Sequence, residues 1–143
     1  MSTRPLTPRQ IRDQAVINEL RGSGGRDEDG GATRVIITVA STKTGGPLTV
    51  PVCVREDGAD LVIAASAGGQ PSHPGWYKDI QAKDVVTVEY LGQTYPARAE
   101  LVSNTTDRDR LFGMMSEVIT GLYSYQDRCR ETRQIPVIRL RRQ

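Results

Sequence analysis

Between Arg34 and Leu140 the chain carries six short runs rich in β-branched residues, and the turns that separate several of them suit only antiparallel strands. The runs are Arg34–Val39, Leu48–Arg55, Asp60–Ala65, Val85–Leu91, Thr94–Val102 and Ile135–Leu140. Glu56-Asp57-Gly58 divides the second run from the third, and Gly92-Gln93 divides the fourth from the fifth, both hairpin signals. Pro96 and Pro136 cannot donate to a ladder, so the fifth and sixth runs are expected at an edge or a bulge. Helical patterns surround the strands. Thr7 to Arg21 spaces Ile11, Ala15, Ile17 and Leu20 along a helix that Gly22-Ser23-Gly24-Gly25 stops. A second helix starts near Pro74. A third, capped by Thr105 or Thr106, runs through Leu111, Met114, Met115 and Val118, and a short fourth covers Tyr123 to Arg130. The economical architecture is mainly β with α+β character: a small, closed or partly closed antiparallel barrel with peripheral helices.

A length of 143 residues predicts one domain over 1–143, with a leading helix and Gly-rich connection over 1–30 and the barrel over 33–143. The polar stretch Arg26–Gly31 reads as an exposed connection within that domain. Cys53 and Cys129 stand far apart, there is a single His and no CxxC pair, so no metal site or disulfide is expected. Both cysteines read as buried thiols, Cys53 especially. No apolar stretch has the length of a membrane span, and Met1–Pro5 has no signal-peptide core, which predicts a soluble, cytoplasmic protein. The formal net charge is +2, with acidic residues interspersed among the arginines. Arg139, Arg141 and Arg142 form the densest basic cluster, a solvated tail, so no nucleic-acid partner is expected.

Chemistry has few places to sit. The chain has no GxGxxG after a strand, no GxxxxGK[ST] and no GxSxG, which argues against a Rossmann dinucleotide site, a P-loop and a hydrolase elbow. Two turns remain. Ala65–Tyr77 packs the only Trp, the only His and two adjacent glycines behind a strand, where bare backbone can approach a flat ligand. Ser41–Pro47 offers Lys43, several hydroxyls and glycine-flanked N–H donors, an inventory that suits a phosphate. Either segment alone also reads as an ordinary loop with an aromatic anchor or a solvated lysine.

Four blocks in order, Glu19–Arg26, Ser41–Gly45 with Thr49–Val52, Ala65–Tyr77 and Arg133–Val137, resemble the deazaflavin (coenzyme F420)-dependent nitroreductase and quinone reductase family. The resemblance spans about Leu20 to Leu140. It implies a split β-barrel like the FMN-binding split barrels, six-stranded here, that binds reduced coenzyme F420 and passes its hydride to a quinone-like or other electron-poor conjugated acceptor. It implies that Thr42, Lys43, Thr44 and Gly45 hold the coenzyme's phosphate and that Pro51 lies near the ring. Ser66, Ala67, Gly68 and Gly69 would line the ring, with Trp76 and Tyr77 as walls. Characterised members place tyrosines every third residue over the acceptor side; here the period falls on Ile119, Leu122 and Tyr125. Tyr125, Tyr123 as its alternative, and Ser66 are the implied catalytic residues. The rival readings are a non-catalytic deazaflavin carrier and an FMN-binding barrel. Weak peripheral contact with a membrane fits a lipid quinone, and the choice between monomer and homodimer stays open.

Overall fold

Thr7 starts the first helix, α1 (Pro8–Gly22), through a reciprocal cap: its hydroxyl accepts from the Gln10 N–H, and the Gln10 side chain accepts from the Thr7 N–H. Its buried residues Ile17 and Leu20 pack on Ile36. The structure, a computed structural model, describes residues 5–27 and 29–143. Met1–Arg4, where no signal-peptide core was expected, and Glu28 of the polar connection lie outside the described residues.

Seven strands follow: β1 (Arg34–Ala40), β2 (Pro47–Cys53), β3 (Arg55–Asp57), β4 (Asp60–Ala64), β5 (Val85–Tyr90), β6 (Gln93–Leu101) and β7 (Val137–Arg142). They form one antiparallel sheet in the order β2-β1-β5-β6-β7-β4-β3. The expected six become seven because the run Leu48–Arg55 bends at Val54. That residue is fully buried, and its N–H turns away to the Thr33 carbonyl at 2.9 Å. β2 then pairs with β1 and β3 with β4, so the first and last strands of the sheet are consecutive in the chain. A sheet joined in this way must curl on itself, as a barrel with one open seam.

The prolines do not mark edges. β6 and β7 are interior strands, and the edges are β2 and β3. Pro96 sits opposite Thr87, and its carbonyl accepts from Gln143; Pro136 precedes β7, and its carbonyl accepts from Ala65. The β5–β6 turn is Leu91-Gly92, one residue earlier than expected, with φ of +50° and +76° at its two residues, as a type I′ hairpin requires.

Three more helices complete the chain: α2 (Gly75–Ala82), α3 (Thr105–Ser116) and α4 (Leu122–Cys129). Asn104 caps α3, accepting from the Asp107 N–H at 3.0 Å, one residue ahead of the expected threonines. Two cores result. Val35, Ile37, Ile63, Val88 and Leu140 close over Trp76, Tyr77 and Ile80 of α2, while Val62, Leu111, Met115, Leu122, Ile135 and Val137 bind α3 and α4 to the sheet's other face. β4 therefore buries both faces, which is why it reads as an unbroken apolar run. The cysteines reverse the expectation: Cys129 is the buried one, Cys53 is half-buried, and both are free. No helix among the described residues is long and apolar enough to cross a membrane.

Asp57, at the end of β3, ties these layers together. Its carboxylate accepts from Arg110 of α3 at 3.0 and 3.1 Å and from Arg139 of β7 at 3.2 Å. Hydrogen bonding and charge from Arg110, then Arg139, hold its carboxyl below the ordinary value against the opposing effect of desolvation. The stabilisation is fully present above the unfolded value of about 4 and is lost as pH falls through the lower folded value. Asp57→Asn is accordingly expected to lower the thermal midpoint at neutral pH and to flatten its acid dependence, measured by thermal scans from pH 7 downward.

Candidate active-site cleft

β2 pairs with β1 alone, so alternate residues carry backbone amides and carbonyls with no strand partner along its other side. Val50, Pro51, Val52 and Cys53 border a cleft of about 500 Å³ there. The opposite wall is the chain leaving β4: Ala64, Ser66, Ala67, Gly68 and Gln70, with Trp76 from the first turn of α2. The seam of the barrel is therefore the cleft. Ile119 closes one side, and Arg9, Arg12 and Asp13 of α1 reach across the mouth. Burial pushes the Cys53 thiol up, so it stays a protonated, weakly reactive wall.

The two glycines behind β4 have different tasks. Gly68 has φ +61°, and apart from its immediate chain neighbours no residue comes within 4 Å of where its Cβ would stand, so bare backbone faces the cleft. Gly69 has φ +77°, and a Cβ there would stand 2.9 Å from both Cα and O of Tyr125, so its bareness serves contact with α4. Adjacent aromatics divide likewise: Trp76 lines the cleft, whereas Tyr77 points into the core with its ring 4.8 Å from that of His73. His73 Nδ1 lies 3.1 Å from Arg133 Nη1, and burial, then Arg133 and Lys78, lower its pKa.

The Lys43 turn lies beyond this cleft. Asp79, buried one helical turn after Trp76, accepts from Thr42 N–H at 2.9 Å and from its hydroxyl at 2.8 Å, pinning the turn to α2. Every backbone N–H expected to cradle an anion is already engaged. Lys43 and Thr44 donate to the Ser41 hydroxyl, Gly45 to the Ser41 carbonyl and Gly46 to the Thr44 hydroxyl. What remains is the exposed Lys43 ammonium, which forms no ion pair among the described residues.

Neither candidate tyrosine borders the cleft. Tyr125 is half-buried between Gly69 and Gly121, with the Arg128 guanidinium 5.8 Å over its ring, and Tyr123 is exposed with its edge on Phe112. Of the positions at the tyrosine period, only Ile119 lines the cleft, and Leu122 is core. Arg9, Arg12, Asp13, Cys53 and Gln70 are cleft residues that the sequence did not single out.

Residues 10–141 match the family described as F420H(2)-dependent quinone reductase. The chain belongs to this family. It is 29% identical over 130 residues to an F420H(2)-dependent quinone reductase of Mycobacterium tuberculosis, covering 90% of this chain and 86% of that one. It is also similar to a solved F420-H2 dependent reductase, FDR-A, at 27% identity and a TM-score of 0.67, covering 76% of this chain and 93% of the other. A structure described as a domain-swapped dimer shares the fold at 24% identity and a TM-score of 0.68, over 91% of this chain and 98% of that one. As a member of the quinone reductase family, the protein is an oxidoreductase with coenzyme F420 as its cofactor. The cleft fits such a group: an unpaired strand edge can meet the ring's alternating donors and acceptors, and the bare backbone at Gly68 leaves space for its face.

Proposed function

We propose that this quinone reductase seats the deazaflavin ring in the seam between β2 and the Ser66–Gly68 backbone, with Pro51 beside it, Trp76 at one end and the phosphate toward Lys43. The observation that carries this is the open β2 edge facing Gly68. β2 itself spans the interval: the four steps from Pro47, beside the Lys43 turn, to Pro51 cover about 13 Å at strand rise. When bound, the reduced coenzyme supplies the hydride. The chain's own residues orient it and its acceptor, and Val50, Val52, Ile119 and Trp76 exclude water. Ser66, whose residue borders the cleft, is the hydroxyl assigned to meet charge developing on the acceptor oxygen. Thr42 and Thr44 shape the phosphate turn, Gly45 lets it close, and Gly69, Tyr77 and Tyr125 support the walls from behind, while Tyr123 packs on Phe112 at the surface. Ile11 on α1 and Leu6 just ahead of it, both exposed, offer apolar side chains for weak peripheral contact with a quinone-bearing membrane.

Two measurements test the assignment. Oxidised coenzyme should quench the fluorescence of the single tryptophan, and reduced coenzyme should be reoxidised by menadione, faster still by a lipid quinone in vesicles. Binding without turnover on any acceptor would make the protein a carrier. Lys43→Ala should weaken coenzyme binding by about 1–3 kcal/mol, as for a charge-assisted contact; unchanged affinity would remove the turn from the site.

A further inference from the structure

The segment Ala65–His73 borders the cleft, yet its only regular element is the single 3-10 turn Ala67–Gly69. A residue far along the chain holds it. Arg133, between α4 and β7, is 8% exposed and turns its whole guanidinium toward this one segment. Nη2 donates to the Ser66 carbonyl at 2.7 Å, Nη1 to the Ala65 carbonyl at 2.9 Å, and Nε to the Gln70 carbonyl at 2.9 Å. Nη1 also lies 3.1 Å from His73 Nδ1. No carboxylate pairs with Arg133 among the described residues, so its charge is met by carbonyl dipoles and the imidazole. The clamp is itself anchored: the Arg133 N–H donates to the Cys129 carbonyl at 2.9 Å, and its carbonyl accepts from Gln126 at 3.2 Å, both on α4.

We propose that Arg133 is a positioning residue for the cleft, holding Ala65–His73 in the shape that presents Ser66–Gly68 to a ligand, with neutral His73 completing its set of acceptors. A guanidinium has donors only, so the His73 Nδ1 facing it must accept and the ring proton must sit on Nε2. The groups that face His73 are Arg133, Lys78 of α2 and the Tyr77 ring, and burial keeps that tyrosine protonated. Two cations and no carboxylate bear on the imidazole, consistent with its lowered pKa. Protonation removes the lone pair that Arg133 uses and sets two cations in contact. Loop order is therefore complete above the unfolded histidine value of about 6.5 and is lost as pH falls through the lower folded value.

The test is amide hydrogen exchange of the 65–73 segment in the full chain, corrected for the intrinsic pH dependence, beside oxidised-coenzyme binding read from tryptophan quenching. Arg133→Lys cannot reach all four acceptors, so the segment should exchange about tenfold faster while β5 and β6 keep their protection. Coenzyme affinity should fall about tenfold, with a much smaller change in turnover at saturation. His73→Gln retains an acceptor that does not titrate: at pH 7.5 its segment should match the wild type, and between pH 7.5 and about 5.5 it should stay protected where the wild type loosens. Equal pH responses in wild type and His73→Gln, or an Arg133→Lys segment as protected as the wild type, would overturn the proposal. If Arg133→Lys does not fold, the comparison of wild type with His73→Gln decides alone. Only the affinity arm rests on the function proposed above; a wild type that fails to bind coenzyme sinks that function and leaves the exchange arm intact.

Discussion

Gly69→Ala should destabilise the protein by about 2–4 kcal/mol, the sum of a left-handed backbone imposed on alanine and a methyl forced into occupied space. The occupied space is the decisive part. The new Cβ would stand 2.9 Å from Cα and O of Tyr125 and 3.1 Å from its Cβ, atoms that no side-chain rotation can move away. Either the turn Ala67–Gly69 or the helix α4 must shift, and both hold the cleft wall. Gly68→Ala is the control, with φ +61° and nothing within 4 Å of the new methyl. It should cost about 1–2 kcal/mol, the left-handed backbone alone. Urea unfolding of the two variants, with unchanged slopes, should separate them by more than 1 kcal/mol. Equal midpoints would mean that α4 yields without cost.

Trp76→Ala should cost about 3–5 kcal/mol, the range for truncating a large buried aromatic side chain. Trp76 is 6% exposed and belongs to the core that α2 shares with the inner face of the sheet. The same ring lines the cleft, so the loss is double: a cavity in the core and a missing wall in the site. Trp76→Phe divides the two effects, restoring most of the core volume with a smaller wall. Thermal scans should show the phenylalanine variant between the wild type and the alanine variant. Coenzyme binding, followed by the polarisation of the coenzyme's own fluorescence because both variants lack tryptophan, should fall in the same order. A Trp76→Ala protein that binds as tightly as the wild type would move the ring site elsewhere.

The strands were legible because their β-branched runs and glycine turns are local signals, and the sheet has its strands where those runs lie. Their order was not. Val50–Val54 is apolar throughout and contains nothing that marks a bend at Val54; the bend exists because β1 and β4 compete for the two halves of one run. Pro96 and Pro136 do not mark edges for a related reason: the N–H missing at Pro96 is tolerated in an interior strand when the neighbouring chain needs none at that point, and Pro136 stands just before its strand, neither of which is visible without the register. In the candidate site, Gly-Gly and the aromatic pair were visible as a segment, but the division of labour between Gly68 and Gly69, or between Trp76 and Tyr77, depends on where α4 and the barrel axis lie. Arg9, Arg12 and Asp13 carried no mark either, since charged residues on a leading helix are ordinarily solvated. In the sequence Arg133 is only one residue of the closing block Arg133–Val137. A buried guanidinium with carbonyl partners is written in three dimensions, because its acceptors are backbone atoms that every sequence possesses.

The bend at Val54 governs how this molecule can come apart. In an open sheet the two outermost strands fray independently, each exposing its neighbour. Here those strands are a single covalent stretch, β2 on one flank and β3 on the other, so peeling either one drags on the residue that seats its twin. Partial unzipping from one side is penalised on both, and the barrel should open as one cooperative unit rather than strand by strand. The seam that admits a ligand is thus bounded by a strand that cannot leave without dismantling the barrel, which lets the protein keep a permanent opening without a loose edge.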